Sequence, residues 1–170
     1  MLNKKQGRSK FLRPMKKTYV FKRPEILKVE SHYTAETIVI ICFDDRNQNR
    51  ATFDLFMEHL GLKHWDEISP AGGAKVFASP EKKGDQDFAL REIAKSVKLH
   101  GTKKVMLFTH TDCGAYGGIA RFKDDEKKEF VFHVGEHRKA RAVIKKFFPR
   151  FKVETYFIDT EGVIATANLL

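Results

Sequence analysis

The chain has 170 residues, 42% of them apolar and 15 of them phenylalanine, and it carries a net charge of +10. Its length favours one domain with an appendage, and its composition is ample for a real core. No apolar run is long enough to span a bilayer, and no apolar signal-peptide centre follows the N-terminus. Two cysteines without a secretion signal predict a reducing, cytoplasmic location, where thiols bind metals or react more often than they form disulfides.

The basic charge is concentrated near the N-terminus. Residues 1–24 contain nine Lys or Arg and no acid, so ten minus nine leaves +1 for the rest of the chain. We therefore predict a basic arm at residues 1–30 and a nearly neutral domain at residues 31–170. Such an arm could bind nucleic acid, an anionic membrane or an acidic partner. A solvated tail, or a segment that wraps a sister subunit, is the favoured interpretation because the arm has no specific binding motif.

After the arm, apolar runs alternate with apolar stripes of helical spacing. In chain order, the first predicted elements are a strand at 37–42, a helix with the apolar stripe Phe53, Phe56, Met57 and Leu60, and a short strand at 74–78. A helix with the stripe Leu90, Ile93, Ala94 and Val97 follows, then a strand at 105–108 and a polar connection at 121–129. The last two elements are a helix with the stripe Ala140, Val143, Ile144 and Phe147 and a strand at 153–158. Gly61, Gly101 and Pro149 are predicted to end the three helices. The alternation predicts an α/β fold with a mostly parallel central β-sheet flanked by helices.

Both cysteines stand where a predicted strand ends. Cys42 ends the first strand, and His110 and Cys113 follow the strand at 105–108. Ligands of open α/β sheets bind beyond the carboxyl ends of the strands, so these side chains share one edge if their strands are neighbours. Two thiolates and an imidazole suit Zn²⁺, and three protein ligands leave the fourth tetrahedral position open, as in catalytic sites. The sequence therefore predicts a zinc site.

Two charged residues lie close to Cys42. Asp44 and Arg46 follow it at steps of two, a spacing that places all three on one side of an extended segment. Arg46 can bind the Asp44 carboxylate through two nitrogens and keep it ionised and oriented. That carboxylate could accept a hydrogen bond from a zinc-bound hydroxide, or it could occupy the fourth position itself.

These motifs resemble those of the β-class carbonic anhydrases. The stretch "CFDDR" at 42–46 and the stretch "HTDC" at 110–113 carry the resemblance, and weaker similarities are "AGGA" at 71–74, Gly114 and "FIDTEGVI" at 157–164. The resemblance covers residues 37–164. Asp45 and Pro70 depart from the family pattern, since the family usually has a small residue and an asparagine at these places.

The resemblance implies a function and a set of roles. It makes Cys42, His110 and Cys113 the zinc ligands and Asp44 and Arg46 the catalytic pair, with a zinc-bound hydroxide that attacks carbon dioxide to give bicarbonate. It also implies a homodimer or larger homo-oligomer with sites near the subunit interface, and an N-terminal segment that lies across the partner.

Two alternatives remain open. The same site could hydrolyse carbonyl sulfide or carbon disulfide, or the chain could be a catalytically silent zinc-binding homologue with a binding or regulatory role. A cysteine phosphatase is excluded, since neither Gln48 nor Ile119 supplies the arginine needed six residues after the nucleophile. A dinucleotide fingerprint and a serine-hydrolase elbow are absent.

Tyr116 is predicted to shape a loop beside the site, and the remaining histidines are predicted to be surface or core residues: His32, His59, His64, His100, His133 and His137.

Overall fold

The computed structural model describes residues 32–169, which form nine helices and strands together with short 3-10 turns. In chain order these are β1 (Thr37–Ile40), α1 (Asn47–His59), β2 (Trp65–Ile68), α2 (Lys75–Ala78), α3 (Lys83–His100), β3 (Lys104–His110), α4 (Glu126–Phe147), β4 (Lys152–Ile158) and β5 (Val163–Ala165). The predicted basic arm at 1–30 lies outside the described residues, so its boundary with the domain stays a prediction. Within residues 32–169, no helix combines the length and apolar character needed to cross a membrane.

The strands form one five-stranded sheet in the order β2-β1-β3-β4-β5. The first four strands are parallel, and only β5 runs antiparallel to its neighbour β4. In the register, Ile40 at the end of β1 pairs with Leu107 of β3, so the segment that follows β1 begins beside the last residues of β3. The predicted α/β fold with a mostly parallel sheet is therefore confirmed, and the two cysteine segments leave the sheet at the same edge.

Both faces of the sheet are covered by apolar side chains. Ile38 and Ile40 point to the face that packs against α2, α3 and α4. Val39 points to the opposite face, where Phe53 and Met57 of α1 cover it. Alternate residues of a strand point to opposite faces, so a strand buried on both sides reads as a continuous apolar run. This is why β1 and β3 were recognisable in the sequence.

Two predicted elements differ in the structure. Residues 74–78 form no strand; 75–78 are the short helix α2, which buries Val76 and Phe77. A five-residue segment, apolar except for Lys75, is too short for periodicity to separate strand from helix. The strand at this place in the chain is instead β2 (Trp65–Ile68), whose side chains are only partly buried at the edge of the sheet and whose sequence WDEI lacks an apolar run.

The last helix begins earlier than predicted. The side chain of Asp125 caps α4 by accepting a hydrogen bond from the backbone N–H of Lys128, so the end of the predicted polar connection at 121–129 is helical. The first half of α4 turns four polar residues inward: Glu129, His133, Glu136 and His137. Two residues of this buried polar face, Glu129 and His137, hydrogen bond with Thr111 and Thr109 at the carboxyl end of β3.

Candidate metal centre

The structure brings Cys42, His110 and Cys113 together. Their ligand atoms all lie within 4.8 Å of one another, and the three residues are buried. Cys42 follows β1, His110 is the last residue of β3, and Cys113 follows the tight turn after β3. The pairing of β1 with β3 is thus what assembles the cluster, and both cysteines are free thiols.

The imidazole of His110 is oriented by its neighbours. Its Nδ1 lies 2.8 Å from the carbonyl oxygen of Thr111, which fixes the proton on Nδ1. The buried Nε2 atom has no hydrogen-bond partner and therefore presents an unshared electron pair. A metal-binding histidine characteristically donates its other N–H to a carbonyl or carboxylate. Sequence reasoning missed Asn49, a buried residue of α1 whose amide nitrogen lies 3.2 Å from Nδ1.

Of the two thiols, that of Cys42 loses its proton readily and that of Cys113 does not. A hydrogen bond from Cys113, assisted by the Gly72 backbone N–H at 3.2 Å, lowers the pKa of Cys42 to about 4 although burial opposes the shift. The pKa of Cys113 is raised, because its thiol hydrogen bonds to Cys42 and because it is buried. The cluster therefore offers a thiolate, a second thiol and an imidazole nitrogen, a donor set that fits a soft or borderline divalent metal such as zinc.

Asp44 and Arg46 form an ion pair beside the cluster. The Arg46 Nη2 atom lies 2.7 Å from Asp44 Oδ2, and its Nε atom lies 3.0 Å from both carboxylate oxygens. These hydrogen bonds lower the pKa of Asp44 to about 2, so the carboxylate is ionised at neutral pH. Asp44 Oδ2 is 3.7 Å from His110 Nε2, which places the carboxylate at the side of the cluster.

Sequence reasoning also missed Asp112, which lies inside the "HTDC" stretch. Its Oδ2 accepts a hydrogen bond of 2.9 Å from Arg46 Nη1, and its carbonyl oxygen accepts one of 2.9 Å from Nη2. Arg46 therefore joins two carboxylates. Asp112 in turn is bound by Glu129 of α4, a residue of the predicted polar connection. Helical steps backwards from Ala140 pass through His133 and Glu129, a spacing that indicates the buried side of α4 but not the partner of Glu129.

Other residues singled out in the sequence lie around this centre. Asp45 is exposed and the ring of Tyr116 is buried against Cys113, while Pro70 accepts a hydrogen bond from Gly73 in the turn that approaches Cys42. Among the six remaining histidines, His59 is exposed and His133 and His137 are buried in the core. His100 hydrogen bonds with Asp66 at the opposite end of the sheet.

Chemically, the site combines a soft three-atom ligand set with a fixed carboxylate at its side. Such a set is compatible with a metal ion, and the carboxylate can orient a small polar molecule next to it. The exposed fractions of the side chains, 19% for Asp44 and 38% for Arg46, leave this side of the site open to solvent.

Comparison with known proteins places the chain in a family. Residues 32–168 match the family model described as "Putative carbonic anhydrase". An uncharacterized protein of Rickettsia bellii is 30% identical over 134 residues, covering 76% of this chain and 80% of that protein. An uncharacterized protein of Rickettsia conorii is 29% identical over 133 residues, covering 76% and 70%.

Solved structures show the same fold at low sequence identity. A carbonic anhydrase from Glaciozyma antarctica aligns with a TM-score of 0.50 and 19% identity over 81% of this chain and 85% of its own. The β-carbonic anhydrase isoform I from Trichomonas vaginalis aligns with a TM-score of 0.55 and 13% identity over 84% and 88%. The resemblance predicted from the two cysteine motifs is confirmed, and because the family match spans most of the chain, this protein belongs to the carbonic anhydrase family of the β-class fold.

Proposed function

We propose that the protein is a zinc-dependent carbonic anhydrase that interconverts carbon dioxide and bicarbonate. The observation that carries the proposal is the Asp44–Arg46 ion pair beside the Cys–His–Cys cluster. A metal that only stabilised the fold would not require an oriented carboxylate beside it. In this proposal Cys42, His110 and Cys113 hold the zinc ion, which supplies a Lewis acid that activates water at neutral pH.

The chain's own residues set the geometry of the reaction. Asp44 is ionised at neutral pH because its pKa is about 2, so it accepts a hydrogen bond from the attacking water and orients it. A group with so low a pKa does not retain a proton, so the proton released in hydration passes to solvent or buffer. Arg46 holds the Asp44 carboxylate through three side-chain contacts and keeps it from turning into the metal cluster. Overall, carbon dioxide and water give bicarbonate and a proton.

The test is stopped-flow hydration of carbon dioxide by protein whose zinc content has been measured. We expect turnover that is lost on removal of zinc with a chelator and restored by one equivalent of zinc. The control is Arg50→Ala, which removes an arginine of α1 that pairs with Asp54 and Glu67 rather than with Asp44. A zinc-loaded protein that does not hydrate carbon dioxide would refute the proposal. If that same preparation hydrolysed carbonyl sulfide, carbonyl sulfide would replace carbon dioxide as the proposed substrate.

We further propose that the enzyme is a homodimer or larger homo-oligomer, as the family resemblance implies. Phe43, between Cys42 and Asp44, is 68% exposed beside the site, so it is the residue that we expect a partner subunit to cover. Light scattering on the full chain should give at least twice the monomer mass, and Phe43→Ser should lower it. A monomer at assay concentrations would contradict this part of the proposal.

A further inference from the structure

We propose that Glu129, on α4, is a positioning residue for the reaction, acting on Asp44 through Asp112 and Arg46. The inference rests on the proposed function and names a residue outside the family motifs. Glu129 is only 1% exposed. Its Oε2 accepts a hydrogen bond of 2.7 Å from Thr111 Oγ1, and its Oε1 accepts one of 2.7 Å from the Asp112 backbone N–H.

These two bonds fix the turn between His110 and Cys113. Asp112 has a φ of 52°, a left-handed conformation that is uncommon for residues other than glycine. Its side chain is held as well, because Oδ1 accepts a hydrogen bond of 3.0 Å from the Ile119 backbone N–H. Gly118 passes so close that an added Cβ would lie 2.8 Å from Oδ1. Glu129 thus binds the turn from the helix side while residues 118–119 bind it from the other.

The fixed Asp112 presents two acceptors to Arg46. Its Oδ2 and its carbonyl oxygen bind the Nη1 and Nη2 atoms of the guanidinium, each at 2.9 Å. The remaining edge of the guanidinium binds Asp44. A guanidinium is planar, so contacts along two edges fix its orientation, and the orientation of Asp44 with it. Removing Glu129 frees the turn that contains Asp112. The Arg46 side chain, which is 38% exposed, can then adopt conformations that face the solvent.

The chain contains a matched control on the same helix. Glu136 is also 1% exposed, and it binds the side chains of Ser79 and Lys139 instead of the turn. Burial and the charge of Glu136 raise the pKa of Tyr116, so Glu136 also lies near that ring. Loss of Glu136 removes a buried carboxyl group with similar hydrogen bonding, yet it leaves Asp112 and Arg46 untouched. If the loss of a buried glutamate acts only by weakening the fold, substitution of either glutamate should have the same effect. If Glu129 positions Arg46, only substitution of Glu129 should affect Arg46.

The experiment compares Glu129→Ala, Glu129→Gln, Asp112→Asn and Glu136→Ala in the zinc-loaded full chain. Two readouts are used: kcat and KM for carbon dioxide, and solvent exchange of the Arg46 Nε–H proton by NMR, identified by its loss in Arg46→Lys. We expect Glu129→Ala to lower kcat about tenfold or more with little change in KM, and to speed exchange at Arg46. Glu129→Gln should keep kcat and the exchange rate at Arg46 close to those of the unmodified protein, since its amide can accept a hydrogen bond from Asp112 N–H and donate one to Thr111 Oγ1.

The remaining variants make the result decisive. Asparagine tolerates the left-handed conformation of residue 112, but it lacks the charge that binds Arg46. We therefore expect Asp112→Asn to lower kcat and to speed exchange at Arg46, even if Glu129→Ala does not fold. Glu136→Ala should leave both readouts unchanged. The proposal is overturned if Glu129→Ala and Asp112→Asn leave the Arg46 proton as protected as in the unmodified protein. A zinc-loaded protein without turnover refutes the proposed function alone, because the Arg46 proton still reports whether Glu129 positions it.

Discussion

The carbonyl oxygen of Phe108 occupies the place where a side chain on Gly73 would stand. An added Cβ would overlap that oxygen and would lie 3.0 Å from the backbone nitrogen of Cys42. Gly73 also has a φ of 54°, in the left-handed region that favours glycine. The turn before α2 therefore touches β1 and β3 where their cysteine segments begin, and this close approach is the reason for a glycine here.

We expect Gly73→Ala to destabilise the protein by roughly 1–3 kcal/mol through backbone strain alone, and further through displacement of β3. Gly135→Ala is the control, because this glycine lies inside α4 with open space around it. Alanine there should stabilise by about 0.5–1 kcal/mol, since glycine is a poor helix former. Urea unfolding of both variants measures the difference. A Gly73→Ala protein as stable as the unmodified protein would mean that the turn adapts at no cost.

The metal cluster predicts about one zinc ion per chain. Cys113→Ser should lose most of this metal, because serine replaces a thiolate with a poor zinc ligand. Elemental analysis of purified protein is the measurement, and circular dichroism verifies the fold. His59→Ala, an exposed histidine on α1, should retain the metal. Stoichiometric zinc in Cys113→Ser would remove this residue from the ligand set.

Asp44 and Arg46 should behave as one unit in catalysis. We expect Asp44→Ala to lower turnover by about 10²–10⁴-fold with zinc still bound, because the three ligands remain while the attacking water loses its acceptor. Arg46→Ala should have a similar effect by freeing Asp44. The double variant should be little worse than either single one, which a double-mutant cycle on kcat/KM measures. Additive losses, or variants as active as the unmodified protein, would show that the pair is not a functional unit.

Two buried histidines should make the metal-free protein less stable in mild acid. Burial lowers the pKa of His133 and of His137 to about 3, so both stay neutral in the fold. In the unfolded chain they take up protons below pH ~6.5, and the unfolding free energy then falls as pH decreases, by up to ~1.4 kcal/mol per pH unit for each histidine. This stability is present above pH ~6.5 and is lost progressively towards pH ~3.

The variant His133→Phe isolates one of these groups. His133 has no hydrogen-bond partner and is surrounded by the rings of Tyr116, Phe132 and Phe157, so phenylalanine removes the titration without removing a hydrogen bond. Denaturant unfolding between pH ~5 and ~7.5 should show a shallower pH slope than in the unmodified protein. An unchanged slope in His133→Phe would exclude this histidine as the source.

Sequence patterns predicted the parts of the site that depend on strand ends. β1 and β3 are continuous apolar runs because both faces are covered, and a cysteine or histidine at the end of such a run is easily recognised. β2 and α2 were missed or misassigned because four partly buried or mixed residues carry little periodicity. The parallel pairing of β1 with β3 was required for the cluster but could only be assumed.

The contacts around Arg46 were harder to predict. Asp112 and Glu129 contact the site from a turn and from a helix whose first half reads as polar. In the sequence, a glutamate in a charged stretch is typical of a solvated surface. Only the tertiary contact of α4 with the turn after β3 gives Glu129 its buried partners, and single-sequence spacing contains no information on that contact.

The contact between Arg46 and Asp112 joins two segments that are 66 residues apart in the chain. The segment after β1 cannot open to solvent without breaking this contact, and neither can the turn after β3. Amide protons in both segments should therefore exchange in one shared opening event rather than in two independent ones. In hydrogen–deuterium exchange, the two peptides would show a common protection factor, and loss of Arg46 would separate them.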